Sequence, residues 1–232
     1  MYKKQNILAV VLARSKSKSI KDKNIKNIKK IPLIGHAGLI LKQIKLIDAK
    51  IISTDSDKYG KIGKKYGLDC IFKRPSALSG SRVSDYSVLK HALILSEKIY
   101  KKKFDIIVSI PPTSPLRKKS NIIDCIKKLV NQKYDSVWTV SKTDSKFHPI
   151  KQLEIKKNKI TFYDKIKGPG LIARQQLTEL YHRNGCAYVI SRKCILDKNT
   201  IITNNTGYIV LKGKQISIDT MYDFKEAEKF LS

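Results

Sequence analysis

Long apolar runs are missing from this 232-residue chain, and none approaches the ~18–20 residues that a membrane-spanning helix needs. The stretch nearest the start, Ile7–Ala13, barely reaches the ~7-residue minimum for the apolar region of a secretory signal. Arg14 and Lys16 then stand where a cleavage site would want small neutral residues, so the stretch reads as a buried first strand of a cytoplasmic protein. Cysteine is sparse as well. Cys70, Cys125, Cys186 and Cys194 form no C-x-x-C pair, which argues against a zinc site and against a disulfide framework. His36, His91, His148 and His182 lack metal-ligand spacing too. Acidic residues are few, 19 against 48 lysines and arginines, which leaves a formal charge of +29. Such an excess attracts polyanions, nucleic acid first among them. Arginine, however, is also scarce, limited to Arg14, Arg74, Arg82, Arg117, Arg174, Arg183 and Arg192. Nucleic-acid surfaces lean on arginine for bidentate contacts, and here lysines spread over every segment instead of forming a stripe. The charge reads as background composition, and nucleic acid is not the expected partner.

What is present is a repeating alternation of apolar runs and helical patterns, the signature of a mostly parallel sheet with crossover helices. Strands are expected at Ile7–Ala13, Ile51–Thr54, Cys70–Phe72, Ile106–Ile110, Ser136–Val140, Ala187–Ile190 and Tyr208–Leu211. Helices are expected at Leu39–Ile47, Asp57–Tyr66, Ser84–Tyr100, Ile122–Val130 and Tyr222–Leu231. Between Thr143 and Arg183 the pattern turns irregular, polar and basic around Gly168-Pro169-Gly170. An insertion of that length inside a domain is usually a lid or an interface arm. The expected organisation is therefore an α/β core over residues 1–142, an inserted arm over 143–183, and a return to the core over 184–232.

The first strand leads into Ala13-Arg14-Ser15-Lys16-Ser17-Lys18-Ser19-Ile20, then Lys21-Asp22-Lys23-Asn24. A basic, serine-rich loop at the carboxyl end of a first parallel strand is where α/β sheets bind nucleotide phosphates. It is not a Walker loop, because G-x-x-x-x-G-K-[ST] is absent, and a solvated basic turn would read much the same.

The same segment resembles the A-R-x-x-S-K-G…K-N signature of CMP-N-acylneuraminate (CMP-sialic acid) synthetases. Further stretches resemble that family in the right order: Ser53-Thr54-Asp55, Arg74-Pro75…Leu78…His91-Ala92-Leu93, and Pro112-Thr113-Ser114-Pro115-Leu116-Arg117. Arg174-Gln175-Gln176, Asn184-Gly185 and Ile218-Asp219-Thr220 complete the series, so the resemblance covers nearly the whole chain.

The resemblance implies a Rossmann-like nucleotide-sugar-transferase sheet and a cytidylyltransferase that joins CTP to an acidic 2-keto-3-deoxy sugar. It implies that Arg14, Ser17 and Lys23 hold the triphosphate, Arg14 and Lys23 acting in catalysis with Lys23 nearest the developing charge. Asn24 and Arg74 would face cytosine and ribose, while Thr113, Ser114 and Tyr188 would line the sugar end. The arm would form a homodimer and carry Lys151 and Arg174 into the partner's site to meet the sugar carboxylate. Asp219 would bind Mg²⁺. Simpler roles stand beside these: Tyr188 as core, Asp55 and Asp57 as helix caps, Thr220 and Asp223 as a capping pair, Arg117 and Lys118 as the exposed start of a helix.

The chain also departs from the family pattern. Ser19 stands where glycine is usual, Ser81 and Ser217 where aspartates are usual, and Pro111 where glutamine commonly precedes P-T-S-P. These departures bear on sugar identity and metal affinity. They leave open pseudaminic, legionaminic or octulosonic acid as the sugar, and a nucleotide-binding paralogue with reduced turnover.

Overall fold

The computed structural model describes residues 2–231. Its first strand, β1 (Ile7–Leu12), is apolar at nearly every position because both of its faces are covered. Ile7, Ala9 and Val11 point into one apolar layer, Leu8 and Val10 into the other. Each such aliphatic side chain contributes ~1.5–3 kcal/mol by leaving water, so this strand anchors the domain. The short ribbon β2 (Asn27–Ile28) and β3 (Ile31–Pro32) follows, and then α1 (Leu33–Lys42). That helix starts earlier than the expected Leu39, because Pro32 fixes its entry while Gly35 and Gly38 hide its first turns from an apolar-pattern reading. Gly38 has a packing reason: a Cβ there would lie 2.5 Å from the Tyr66 carbonyl oxygen.

β4 (Ala49–Ser53) and α2 (Asp57–Lys65) come next. The strand expected at Cys70–Phe72 reduces to one bridge between Ile51 and Asp69. The long α3 (Asp85–Tyr100) is capped by Ser84, whose hydroxyl accepts from the Ser87 N–H. Then follow β5 (Ile106–Ile110), α4 (Lys119–Gln132) and β6 (Ser136–Lys142). A hairpin of β7 (Leu153–Lys156) and β8 (Lys159–Phe162) turns through Lys157 and Asn158, both at positive φ. The chain ends with β9 (Tyr181–Ser191), α5 (Arg192–Leu196), β10 (Thr206–Val210) and α6 (Met221–Phe230). Thr220 and Asp223 close the last helix's start as a reciprocal capping pair, as the sequence suggests.

Six strands make the main sheet, in the order β10-β6-β9-β5-β1-β4. β1 runs parallel to β4 and to β5, whereas β9 runs antiparallel to β5. This mixed, mostly parallel sheet between helices is the fold class that the sequence implies.

Two compact units are distinct. One comprises the residues up to Thr139 with those from Asn184 on; the other is Val140–Arg183. The second unit contains the β7–β8 hairpin and short 3₁₀ turns, regular structure that its irregular sequence hides. Its apolar side chains are largely exposed, Ile155 at 76%, Ile166 at 90% and Ile172 at 92%.

Candidate active site

Parallel strands deliver their following loops to one edge of a sheet. The loop after β1 (Ala13–Asp22), the turn after β4 (Thr54–Asp55) and the loop after β5 (Pro111–Lys118) therefore open at the same end. β9 runs the other way, with Tyr188 opposite Ser109, so the residues before Tyr188 arrive at that same edge. Here lies a cleft of ≈ 320 Å³, where the sequence-predicted residues Arg14, Ser17, Lys23, Asn24, Thr113 and Asp219 come together with Lys18, Ser19 and Asp85. A second cavity of ≈ 260 Å³ adjoins it, lined by Arg74, Leu78, Ser81, Val83 and Val88. Leu12, Arg14 and Asp85 line both.

The loop after β1 is held by charge. Asp55 accepts from the Ser15 N–H at 2.8 Å and from the Ser15 hydroxyl at 2.9 Å. Burial pushes the Asp55 carboxyl up, but the Ser15 hydrogen bonds outweigh it and hold the group below the usual aspartate range. The carboxylate is thus ionised and structural. It anchors the loop, and Ser56, not Asp55, caps α2. The Tyr59 hydroxyl donates to Asp22 at 3.0 Å, fixing the far end of the loop where Asp22 sits at φ 55°.

Within the cleft the cations have definite partners. Lys23 Nζ donates to the Ile218 carbonyl at 2.8 Å and to Asp219 Oδ1 at 2.9 Å; its side chain is only 12% exposed, against 72% for Asp219. The Arg14 guanidinium donates to the Gly80 carbonyl at 2.8 Å, tying the β1 loop to the segment before α3. Arg74 is 5% exposed, and its Nε and one terminal nitrogen have no acceptor within the protein. Burial lowers its affinity for a proton, an effect that nearby Asp55 opposes. Buried donors without partners are costly in an isolated chain, and a ligand that supplies acceptors recovers that cost.

Three of the motif segments are stitched to one another through their backbones. Buried Arg117 donates to the Pro111, Gly185 and Cys186 carbonyls. Ser114 Oγ donates to the Asn184 carbonyl, and the Ile218 N–H donates to the Thr113 carbonyl at 2.8 Å. Gly185 sits at φ +71°, and a Cβ there would lie 2.8 Å from Ser114 Oγ. Arg117 is thus no exposed helix start. It is 4% exposed, and burial pulls it down to about 10, so it stays charged at neutral pH.

The remaining expected ligand residues are engaged within the protein or lie outside the cleft. Ser114 is 1% exposed, with its hydroxyl given to Asn184, and frames the loop. The Asn24 amide nitrogen donates to the Arg14 carbonyl at 3.0 Å and is likewise committed to the loop, although Asn24 still lines the cleft. Tyr188 lines neither cavity. It is half-buried against the layer of Leu8 and Val10, edge-on to Trp138 at 5.0 Å. Lys151 and Arg174 belong to the second unit, where Arg174 opens a 3₁₀ turn and Lys151 ends another. Sequence reasoning missed Asp55 as the loop anchor, Arg117 as the clamp, and Asp85 in the cleft wall. The first two lie inside recognised motifs, where their type was visible and their burial was not; no pattern marks Asp85.

Among the described residues no cluster of three or more His, Cys, Asp or Glu side chains could hold a metal. Asp219 is a lone carboxylate beside neutral Ser217, and Lys23 already occupies one of its oxygens. Such a site does not suit a resident ion. It does suit Mg²⁺ carried in on phosphates, since that ion is often held by one or two carboxylates plus substrate oxygens.

Known proteins resemble this chain along nearly its whole length. The family model described as cytidylyltransferase matches residues 8–230. CMP-N,N'-diacetyllegionaminic acid synthase of Campylobacter jejuni is 30% identical over 228 residues, 97% of this chain and 95% of that protein. N-acylneuraminate cytidylyltransferase of Escherichia coli is 29% identical over 223 residues, 95% of this chain and 51% of that longer protein. Among solved structures, that of CMP:2-keto-3-deoxy-manno-octonic acid synthetase complexed with CTP superimposes with a TM-score of 0.70 at 12% identity, covering 97% of this chain and 98% of that one, a likeness of fold. The chain belongs to the cytidylyltransferase family and is a nucleotidyltransferase of the CMP-sialic acid synthetase type.

Proposed function

We propose that this protein transfers a cytidylyl group from CTP to an acidic 2-keto-3-deoxy sugar, sialic acid or a relative such as legionaminic acid, releasing CMP-sugar and pyrophosphate. The cleft that gathers Arg14, Ser17, Lys18, Lys23 and Asp219 beside the orphaned Arg74 carries this reading. A sugar hydroxyl oxygen bonds to the α-phosphorus, the bond from that phosphorus to the bridging oxygen breaks, and pyrophosphate departs with the electron pair. The hydroxyl proton is lost to solvent. Such a transfer needs positioning and positive charge more than covalent help. Arg14, Ser17 and Lys23 bind the triphosphate, and Lys23 meets the charge that grows on the leaving group. Arg74 donates to acceptors on the base. Asp219 would hold Mg²⁺ together with the phosphates, and the ion would supply further charge neutralisation.

Pyrophosphate release, assayed across four nucleoside triphosphates and a panel of acidic sugars, tests the assignment. Turnover is expected with CTP and an acidic sugar only. Equal release from UTP or ATP, or release with neutral sugars, would remove it.

The second unit is proposed to act as a dimerisation arm. Its exposed Leu153, Ile155, Ile160, Phe162, Ile166 and Ile172 form no core of their own and fit a second copy of the chain. Each arm would then bring Lys151 and Arg174 to the partner's sugar carboxylate, a planar anion that arginine binds through two N–H groups. A Lys23→Ala chain mixed with an Arg174→Ala chain is expected to regain part of the activity through a hybrid site. A mixture no more active than its two components, or a monomer by light scattering at assay concentration, would refute the exchange. The cytoplasm is the proposed location, since it supplies CTP and suits four unpaired thiols.

A further inference from the structure

Lys23 stands in the phosphate-side cleft already engaged. Its Nζ donates to the Ile218 carbonyl at 2.8 Å and to Asp219 Oδ1 at 2.9 Å. Lys23 and Asp219 both line the cleft, together with Arg14, Ser17, Lys18 and Ser19. The two partners differ in their freedom to move. The backbone under Asp219 is pinned from both sides. Its own N–H and that of Thr220 donate to the Asp223 carboxylate at 2.9 and 2.7 Å. The Ile218 N–H just before it donates to the Thr113 carbonyl at 2.8 Å, and the Ile218 side chain is buried with Ile20, Ile28 and Phe224. Lys23, in contrast, carries its ammonium on an unbranched stem of rotatable bonds and has three donors, of which these contacts use two. A rearrangement of the pair therefore moves the ammonium and leaves the carboxylate's support in place.

A bare triphosphate meets this arrangement badly. To receive phosphate the ammonium has to leave Asp219, and the phosphate oxygens then stand beside a carboxylate that has lost its cation. A triphosphate that brings a divalent ion supplies a partner for each half of the pair, oxygens for the ammonium and a cation for the carboxylate. We propose that the Lys23–Asp219 pair is a selectivity element, which admits the triphosphate together with its divalent ion and disfavours the metal-free nucleotide. The two side chains exchange partners on binding, and neither charge is left unmatched. The proposal rests on the reading of this cleft as a CTP site with Asp219 turned to Mg²⁺. By linkage, nucleotide and ion then raise each other's affinity by the same factor.

Titration calorimetry of the full chain with CTP, in Mg²⁺ and in EDTA at one ionic strength and without sugar, provides the test. The wild type is expected to bind CTP at least about fivefold more tightly with Mg²⁺, the lower end of ordinary coupling between two ligands. In EDTA, Asp219→Asn should bind CTP about two- to fivefold more tightly than the wild type, because the ammonium has no ion pair to break. With Mg²⁺ the same variant should bind more weakly than the wild type. One substitution thus moves the two affinities in opposite directions, whereas general damage to the fold lowers both. Exchange of partners also requires that Lys23→Met cost more in EDTA when Asp219→Asn is present, by at least about twofold, since only there is the ammonium already free for phosphate. Equal costs in the two backgrounds would mean that Lys23 serves phosphate through its third donor with the pair still closed, and would overturn the exchange. An Asp219→Asn chain no tighter than the wild type in EDTA, or a wild type indifferent to Mg²⁺, overturns the selectivity while leaving CTP binding standing. Failure of the wild type to bind CTP under either condition would instead overturn the CTP site itself, and this inference with it.

Discussion

Arg117→Ala is expected to destabilise the fold by about 3–5 kcal/mol, since it removes three hydrogen bonds from a charged donor and each buried acceptor left unmet costs about 1–3 kcal/mol. The loss is large because one guanidinium serves the carbonyls of Pro111, Gly185 and Cys186 together. For a domain of this size that corresponds to a fall in Tm of roughly 6–20 °C. Arg117→Lys should recover little, since a single ammonium cannot reach three acceptors in the planar fan that a guanidinium spans. Denaturant melts of the two variants decide the matter. A wild-type midpoint for Arg117→Ala would mean that water replaces the clamp without cost.

Lys23→Ala should leave the melt nearly unchanged and remove most turnover. Its ammonium has one backbone acceptor and one exposed carboxylate partner, and an ion pair to so exposed a carboxylate adds little to stability. On the proposed mechanism its larger role comes when charge builds on departing pyrophosphate. Loss of one such preorganised group lowers kcat by about 10²–10³. Asp219, freed of its ammonium partner, should retain its place, because its N–H is held by Asp223 at 2.9 Å. A KM increase with kcat unchanged would assign Lys23 to ground-state binding alone.

Much of this arrangement was legible in the sequence, and the residues that were not share a physical reason. β1, α3, β5 and α6 follow from apolar runs and helical spacing, since burial on one or both faces writes itself into residue type. α1 was placed too late because glycines needed for close packing against Tyr66 look like loop residues in a pattern of hydropathy. Likewise, the β7–β8 hairpin does alternate, LEIK and KITF, but over only four positions a strand, too short a pattern to stand out within a polar and basic stretch. In the site, residue types announce chemistry while roles depend on contacts between distant segments. Asp55 looked like a cap because a helix follows it; its partner Ser15 lies forty positions earlier. Ser114 and Arg117 sit in the motif most specific for the family, yet both side chains face backbone carbonyls and not the cleft. Asp85 carries no local signal at all, since an acidic residue at a helix start is commonplace.

Gripping main-chain oxygens has an evolutionary consequence. A clamp that reads carbonyls is indifferent to the side chain borne by the residue it holds, so position 111 is free to drift while the scaffold beneath it stays put. Pro111 lines the cleft while its carbonyl keeps the Arg117 contact. A substitution at residue 111 can therefore alter the cleft wall without disturbing the contact that holds the loop beneath it. The same indifference stops at Gly185, where the backbone adopts a left-handed turn against Ser114 and any side chain would be strained.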